Sequence, residues 1–182
     1  MMEGIDLRQD GYLFLLDNPS DIERFQAALA LQHSLGVPSR ELSVQEALAI
    51  VPQLAGDGLL AAAYCELDGS VTPEAVVQWY AQGIDVRQSC AVTGIDVRAD
   101  RIVAVETTEG RIATGTVVCC AGAWSRDVGA MAGVDIPVRG ERRWLHFTET
   151  DGGLPQRLPL TIDFSTGFYF HREGPGLVFG GR

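Results

Sequence analysis

The sequence lacks the features of several large protein classes. It has no basic excess, since 24 acidic against 14 basic side chains give a net charge of −10, and such a field repels nucleic acid and anionic membranes. No apolar run approaches the roughly 20 residues that span a bilayer, and the N-terminus has no basic or apolar signal region. We therefore expect a cytoplasmic protein that acts on a small molecule, with no nucleic-acid partner and no membrane span.

Cysteine is scarce and is spaced neither for a disulfide framework nor for a zinc site. The four cysteines, Cys65, Cys90, Cys119 and Cys120, contain no Cys-x-x-Cys pair. We expect no metal centre and interpret the cysteines as small core residues.

A chain of 182 residues with 46% hydrophobic content can build a real core, as one large or two small domains. Residues 116–120 form a β-branched and small apolar run that predicts a strand buried on both faces. Ala121, Gly122 and Ala123 follow, and a helix is predicted to start near Trp124. This turn exposes backbone that can approach a flat or anionic cofactor. The alternative is an ordinary turn in which Gly122 serves only chain reversal.

The first half of the chain alternates predicted strands and helices. A strand is predicted at 11–16, and the capping box Ser20-x-x-Glu23 indicates a helix that Gly36 and Pro38 end. A second capping box, Ser43-x-x-Glu46, indicates a short helix, which is followed by a strand at 59–64. Thr72-Pro73 then predicts another helix start.

Short strands dominate the second half. We predict strands at 84–87, 92–97, 102–107 and 112–118, of which the last three form an antiparallel meander. Strands of a second sheet are predicted at 144–148, 160–163, 168–171 and 177–179.

Four short motifs resemble one family in register. They are Asp68-Gly69-Ser70-Val71-x-Pro73, Val92-Thr93-Gly94-Ile95, Cys120-Ala121-Gly122-Ala123-Trp124-Ser125, and Ile162-Asp163-Phe164 with Gly167-Phe168-Tyr169-Phe170. Together they resemble the FAD-dependent amine and amino-acid oxidoreductases related to D-amino-acid oxidase, glycine oxidase and the sarcosine oxidase beta subunit. The last motif is most similar to the sarcosine oxidase beta subunit and dimethylglycine dehydrogenase branch.

The resemblance implies a mixed α/β (α+β) fold that is part of a two-domain flavoprotein. Residues 1–67 and 136–182 would form an antiparallel or mixed substrate-domain sheet with flanking helices, and residues 68–135 a partial FAD-binding domain with a β-meander. In the family, the turn matching Cys120, Ala121, Gly122 and Trp124 touches FAD, and the residue matching Val92 lies by the adenine.

A pocket for an amino acid or N-methyl amino acid needs a cation for the carboxylate and a polar or aromatic group near the amine. Tyr169 and His171 share one face of their predicted strand, and we interpret them as the catalytic pair. The alternative is that Phe168 and Phe170 on the other face fill the core and the pair faces solvent. For the carboxylate, the candidates among the nearby arginines are Arg143 and Arg172, unless these only offset acidic side chains.

One family feature is missing from the sequence. The Gly-x-Gly-x-x-Gly turn that grips the FAD pyrophosphate does not occur, so the chain resembles the central portion of a flavoenzyme, and we expect no oxidase activity from this portion alone. It would also expose apolar surface, which predicts a homo-oligomer. The alternative function is a non-catalytic binding module that binds a small amine acid or a partner subunit.

Overall fold

A computed structural model describes residue 5, residues 7–150 and residues 153–181. The chain divides into two compact units, one of Met1–Gln82 with Arg143–Arg182 and one of Gly83–Arg142. The elements in chain order are β1 (Tyr12–Leu16), α1 (Pro19–Ser34), β2 (Arg40–Leu42), α2 (Val44–Ile50), β3 (Ala61–Cys65), α3 (Pro73–Ala81), β4 (Val92–Arg98), β5 (Arg101–Thr107), β6 (Gly110–Ala113), a 3₁₀ turn (Gly122–Trp124), α4 (Ser125–Met131), β7 (Leu145–Phe147), β8 (Leu160–Asp163), β9 (Tyr169–Glu173) and β10 (Gly176–Gly180).

The larger unit is built on a seven-stranded sheet in the order β2-β3-β1-β8-β9-β10-β7. The pairing of β1 with β8 is parallel, and the other neighbouring pairs are antiparallel. This mixed sheet with flanking helices, together with a separate three-stranded meander, confirms the predicted α+β architecture. The functional division at 1–67, 68–135 and 136–182 stays a prediction.

The strand registers define two faces of this sheet. Leu13, Thr161, Phe170 and Phe179 lie opposite one another in one row across β1, β8, β9 and β10. Their face, which we call the core face, packs against α2 in a cluster of buried apolar side chains: Leu13, Leu42, Ala47, Val51, Ala62 and Leu158. The alternate row runs from Phe14 through Ile162 and Tyr169 to Gly180, and we call that side the tyrosine face.

The two predicted capping boxes have different outcomes. At α2 the prediction is confirmed, because the Ser43 backbone N–H donates to the Glu46 carboxylate over 2.7 Å and the Glu46 N–H donates to Ser43 Oγ over 3.3 Å. At α1 it is wrong, because the N-cap is Asn18, whose Oδ1 accepts from the Ser20 backbone N–H at 3.0 Å. A proline with its restricted φ suits the first helical position, so the helix begins at Pro19, one residue before the predicted cap.

The smaller unit contains the predicted meander, with β5 in the centre. Ala99 and Asp100 form the β4–β5 turn with φ of 47° and 58°, which is the mirror-image turn that suits twisted hairpins. The strand predicted at 84–87 is wrong. Ile84 and Val86 are exposed there, and Arg87 is paired with nearby Asp85 at 3.3 Å.

The buried strand predicted at 116–120 is also wrong. β6 ends at Ala113, and the Thr114 hydroxyl then binds the backbone of Thr116 as donor and acceptor, a local alternative to the sheet ladder. Val118 is 80% exposed. None of the strands in the described part of the chain pairs with this run, so no neighbouring strand buries it. The interpretation of the cysteines as core residues therefore holds for buried Cys65 and not for exposed Cys120, while Cys90 and Cys119 are half-buried.

None of the helices in the described part of the chain combines the length and the apolar composition that a bilayer span requires.

Candidate cofactor and substrate site

The Cys120–Trp124 turn is open and poor in side chains. Gly122 starts the 3₁₀ turn with a φ of +55°, and a Cβ placed on it would have no atom within 4 Å. The glycine is therefore required by backbone conformation and not by crowding. The Trp124 backbone N–H donates to the Ala121 carbonyl over 3.0 Å, while the Trp124 residue itself is 71% exposed.

Close packing behind the turn holds it in place. A Cβ on Gly129 of α4 would lie 2.7 Å from Ile136 Cδ1, and one on Gly140 would lie 3.1 Å from the Ala123 Cβ. The segments around Ile136 and Gly140 thus press on α4 and on the turn. α4 also packs against β4, whose first residue, Val92, pairs with Thr107 and is 38% exposed. An exposed backbone and an exposed indole on a packed base fit a flat cofactor such as FAD.

Tyr169 and His171 lie on the tyrosine face of β9, and both are half-buried. Tyr169 is opposite Gly180 of β10, and His171 is opposite Val178. His171 Nδ1 lies 3.0 Å from the carbonyl oxygen of Arg172, so a proton on Nδ1 would be donated to that oxygen and would leave Nε2 as an acceptor. The structure brings the two predicted residues together on one face, and their catalytic role stays a prediction.

The core face contains an apolar cavity of about 340 Å³ that the sequence did not indicate. Its walls are Val51, Gln53, Leu54, Ala55, Thr148, Leu154, Phe168, Phe170, Leu177 and Phe179. Thr148 Oγ1 accepts from the Leu177 N–H at 2.9 Å, and Gln53 donates to the Gly153 carbonyl at 3.3 Å. Phe168 and Phe170 therefore line a cavity on the side opposite Tyr169 and His171. The alternation of phenylalanines with Tyr169 and His171 was the available signal, but alternation does not tell which face is covered.

The two candidate arginines have different surroundings. Arg172 is half-buried, and its Nη2 donates to the backbone carbonyls of Pro155 at 2.8 Å and Leu154 at 3.3 Å, so it braces the loop before β8. Arg143 is exposed and lies two residues before Leu145, which pairs with Gly180. Of the two, Arg143 is the cation at the surface. The nearby His146 stacks on Phe179 with ring centroids 5.2 Å apart.

Asp163 ends β8 and holds the turn that leads to Tyr169. Its Oδ1 accepts from the Ser165 backbone N–H at 3.1 Å, the Ser165 hydroxyl at 2.9 Å and the Thr166 N–H at 3.3 Å. Burial raises the pKa of Asp163, but the hydrogen bonds from Thr166 and Ser165 together outweigh burial and leave that pKa below its ordinary value. The carboxylate is therefore ionised at neutral pH and orders the β8–β9 connection.

Comparison with known proteins connects these features to one family. The family model described as "FAD dependent oxidoreductase" (DAO) matches residues 2–182. The chain is 34% identical to mitochondrial sarcosine dehydrogenase of Mus musculus over 95% of this chain and 20% of that protein. It is 32% identical to sarcosine oxidase subunit beta of Rhizobium meliloti over 62% of this chain and 28% of that protein. The chain thus spans about a fifth of the length of its sarcosine dehydrogenase relative.

Solved structures agree with the fold. L-proline dehydrogenase from P. horikoshii superposes with a TM-score of 0.82 and 27% identity, over 97% of this chain and 49% of that one. Glycine oxidase from Geobacillus kaustophilus superposes with a TM-score of 0.80 over 100% of this chain and 50% of that one; its identity of 20% supports the fold alone. These matches confirm the resemblance that the four motifs predicted.

Proposed function

The chain belongs to the FAD-dependent oxidoreductase family, and on that premise we propose that its full-length protein oxidises the C–N bond of an amino acid or an N-methyl amino acid. The observation that carries the proposal is the 34% identity with sarcosine dehydrogenase across 95% of the chain. Other relatives are named for dimethylglycine and 4-methylaminobutanoate. These names describe amines that also carry a carboxylate.

The smaller unit supplies the proposed FAD contacts. The backbone at Cys120, Ala121 and Gly122 and the indole of Trp124 offer an open surface for a flat ligand, and Val92 would lie by the adenine. When bound, FAD would supply the acceptor for the hydride that leaves a carbon next to the amine nitrogen, which in an N-methyl amino acid can be the methyl carbon. No residue of this chain has to act as a strong base for such a reaction, so its share is binding, orientation and electrostatics.

The larger unit supplies the proposed substrate contacts, on the tyrosine face. The Tyr169 hydroxyl and His171 Nε2 would orient the amine by hydrogen bonds. Arg143 would bind the carboxylate, and its position just before Leu145, in the row of Gly180 and Tyr169, supports this role. Arg172 would assist by bracing the loop at Leu154 and Pro155. Residues 1–67 and 136–182 would together form this substrate-binding portion.

A cytoplasmic location and a homo-oligomeric state remain parts of this proposal. The sarcosine dehydrogenase relative is named as mitochondrial, so a fractionation experiment with the full-length protein tests the location directly.

Colour and bleaching test the proposed function. The full-length protein should absorb at about 450 nm as a flavoprotein. Anaerobic addition of sarcosine, dimethylglycine, glycine or proline should bleach that absorption band. Tyr169→Phe should keep the band and slow its bleaching by at least about tenfold, because the amine loses an orienting hydrogen bond. A yellow protein that none of these amines bleaches would contradict the substrate class. A colourless protein that does not take up added FAD would favour the binding-module alternative.

A further inference from the structure

Tyr169 and Gly180 lie directly opposite each other on the antiparallel strands β9 and β10. A Cβ placed on Gly180 would lie 2.8 Å from Tyr169 Oη, 3.0 Å from Cζ and 3.1 Å from Cε1. The contact with the hydroxyl oxygen is shorter than real Cβ atoms show, and the two contacts with ring carbons are tighter than most Cβ contacts. The tip of the phenol ring therefore occupies the space that a side chain at position 180 would take.

The backbone does not explain the glycine at this position. Gly180 is not among the glycines with positive φ, so alanine could adopt the same conformation. Gly176, in the same strand, has a different reason to be glycine, because a Cβ there would lie 2.0 Å from the Thr148 carbonyl oxygen. At Gly180 the three nearest atoms all belong to the Tyr169 side chain, which can move.

The residues beside Tyr169 and Gly180 on the neighbouring strands show the direction in which the Tyr169 ring leans. Ile162 lies beside Tyr169 on β8, and Leu145 lies beside Gly180 on β7. The ring leans from β9 toward β10, and its hydroxyl oxygen is the atom nearest to a Cβ placed on Gly180. The missing side chain at position 180 thus decides where the phenol oxygen lies.

We propose that Gly180 is a positioning residue for the reaction, because it leaves the space in which the Tyr169 hydroxyl is held. This inference rests on the proposed function through the role of Tyr169. A methyl group at position 180 displaces the phenol oxygen while β10 keeps its conformation and its hydrogen bonds. The expected result is a misplaced catalytic group in an otherwise intact protein.

The experiment compares Gly180→Ala with Gly181→Ala in the full-length protein. A Cβ on Gly181 would meet its nearest atom at 3.7 Å, an ordinary contact, so Gly181→Ala serves as the matched control. Gly180→Ala should lower kcat for the best amine by about tenfold or more, with flavin content, KM and Tm close to wild type. In a Tyr169→Leu background, which removes the phenol, Gly180→Ala should add no further loss.

A second measurement reports the ring without turnover. With 3-fluorotyrosine incorporated, the ¹⁹F resonance assigned through Tyr169→Phe should move in Gly180→Ala and stay in place in Gly181→Ala. A resonance that does not move in Gly180→Ala would overturn the proposal, whatever the activity. A resonance that moves while kcat stays unchanged would also overturn it. The third contradicting result is a kcat loss from Gly180→Ala that is as large in the Tyr169→Leu background as in the wild type. If the wild-type protein oxidises no amine, the proposed function fails. The ¹⁹F resonance in Gly180→Ala then still shows whether Gly180 determines the position of the Tyr169 ring.

Discussion

Arg111 of β6 donates from its Nη2 to Asp96 Oδ2 of β4 over 2.6 Å, across the width of the meander. The same guanidinium pairs with Glu106 of β5, and Arg98 adds a second contact to Asp96 at 3.0 Å. One arginine thus joins all three strands of the smaller unit. Because these side chains lie at the surface, salt screens their interactions.

The first prediction concerns the pH dependence of stability. The hydrogen bond from Arg111 is the largest of the effects that lower the pKa of Asp96 in the folded protein. The unfolded chain therefore binds the proton more readily, so the stabilisation is present above the ordinary pKa of 3.8 and is lost as the pH falls through the lower folded value. Urea unfolding between acid and neutral pH should show a shallower stability gain in Asp96→Asn than in the wild type. Equal slopes for Asp96→Asn and wild type would contradict the prediction.

The second prediction concerns Asp163. Asp163→Ala removes the acceptor for two backbone N–H groups and one hydroxyl, and we expect the free energy of unfolding to fall by about 1–3 kcal/mol. Asp163→Asn keeps an oxygen acceptor and should lose less. Denaturant unfolding measures both losses. A loss in the asparagine variant equal to that in alanine would show that the negative charge, and not the accepting oxygen, holds the turn.

The third prediction concerns Gly122 and flavin. Gly122→Val in the full-length protein places a side chain on the open face of the turn and should abolish FAD retention while circular dichroism changes little. Gly133→Val is the matched control, because Gly133 has a φ of +73° and no atom within 4 Å of a placed Cβ, so its backbone strain is comparable. Flavin stoichiometry after gel filtration measures the effect. Wild-type flavin content in Gly122→Val, or an equal loss of flavin in Gly122→Val and Gly133→Val, would show that the turn is not part of the FAD site.

The fourth prediction concerns the substrate carboxylate. Arg143→Ala should raise KM for an N-methyl amino acid by about tenfold or more, while KM for the matching amine without a carboxylate changes little. Arg142→Ala, at the neighbouring exposed arginine, should affect neither substrate. Steady-state kinetics with the substrate pair gives the comparison. An equal increase in KM for both amines in Arg143→Ala would mean that the arginine does not contact the substrate carboxylate.

The fifth prediction concerns self-association of the 182-residue chain. β7 is an edge strand, and Trp144, Leu145 and Phe147 are 72%, 52% and 67% exposed, a combination that favours association. Light scattering at tens of micromolar, roughly the range in which such surfaces associate, should give a dimer or larger species. Phe147→Lys should shift the mass toward the monomer, whereas a monomeric wild type would contradict the prediction.

The sequence by itself determined the features that depend on neighbours along the chain. The Ser43–Glu46 capping box could be predicted because its hydrogen bonds close within three residues. The meander could be predicted because its strands pair with their neighbours along the chain, although the third strand ends at Ala113 and not at residue 118. The family resemblance could also be recognised from the sequence, because its motifs are short and follow one another in a fixed order along the chain.

Only the tertiary structure decided what depends on distant partners. Residues 116–120 have the composition of a buried strand, but none of the strands in the described part of the chain pairs with them. Alternation put Tyr169 and His171 on one face, but it could not tell that Phe170 would pack against the α2 core or that Gly180 would receive the phenol ring. Those outcomes depend on which strands become neighbours, and local sequence does not contain that information.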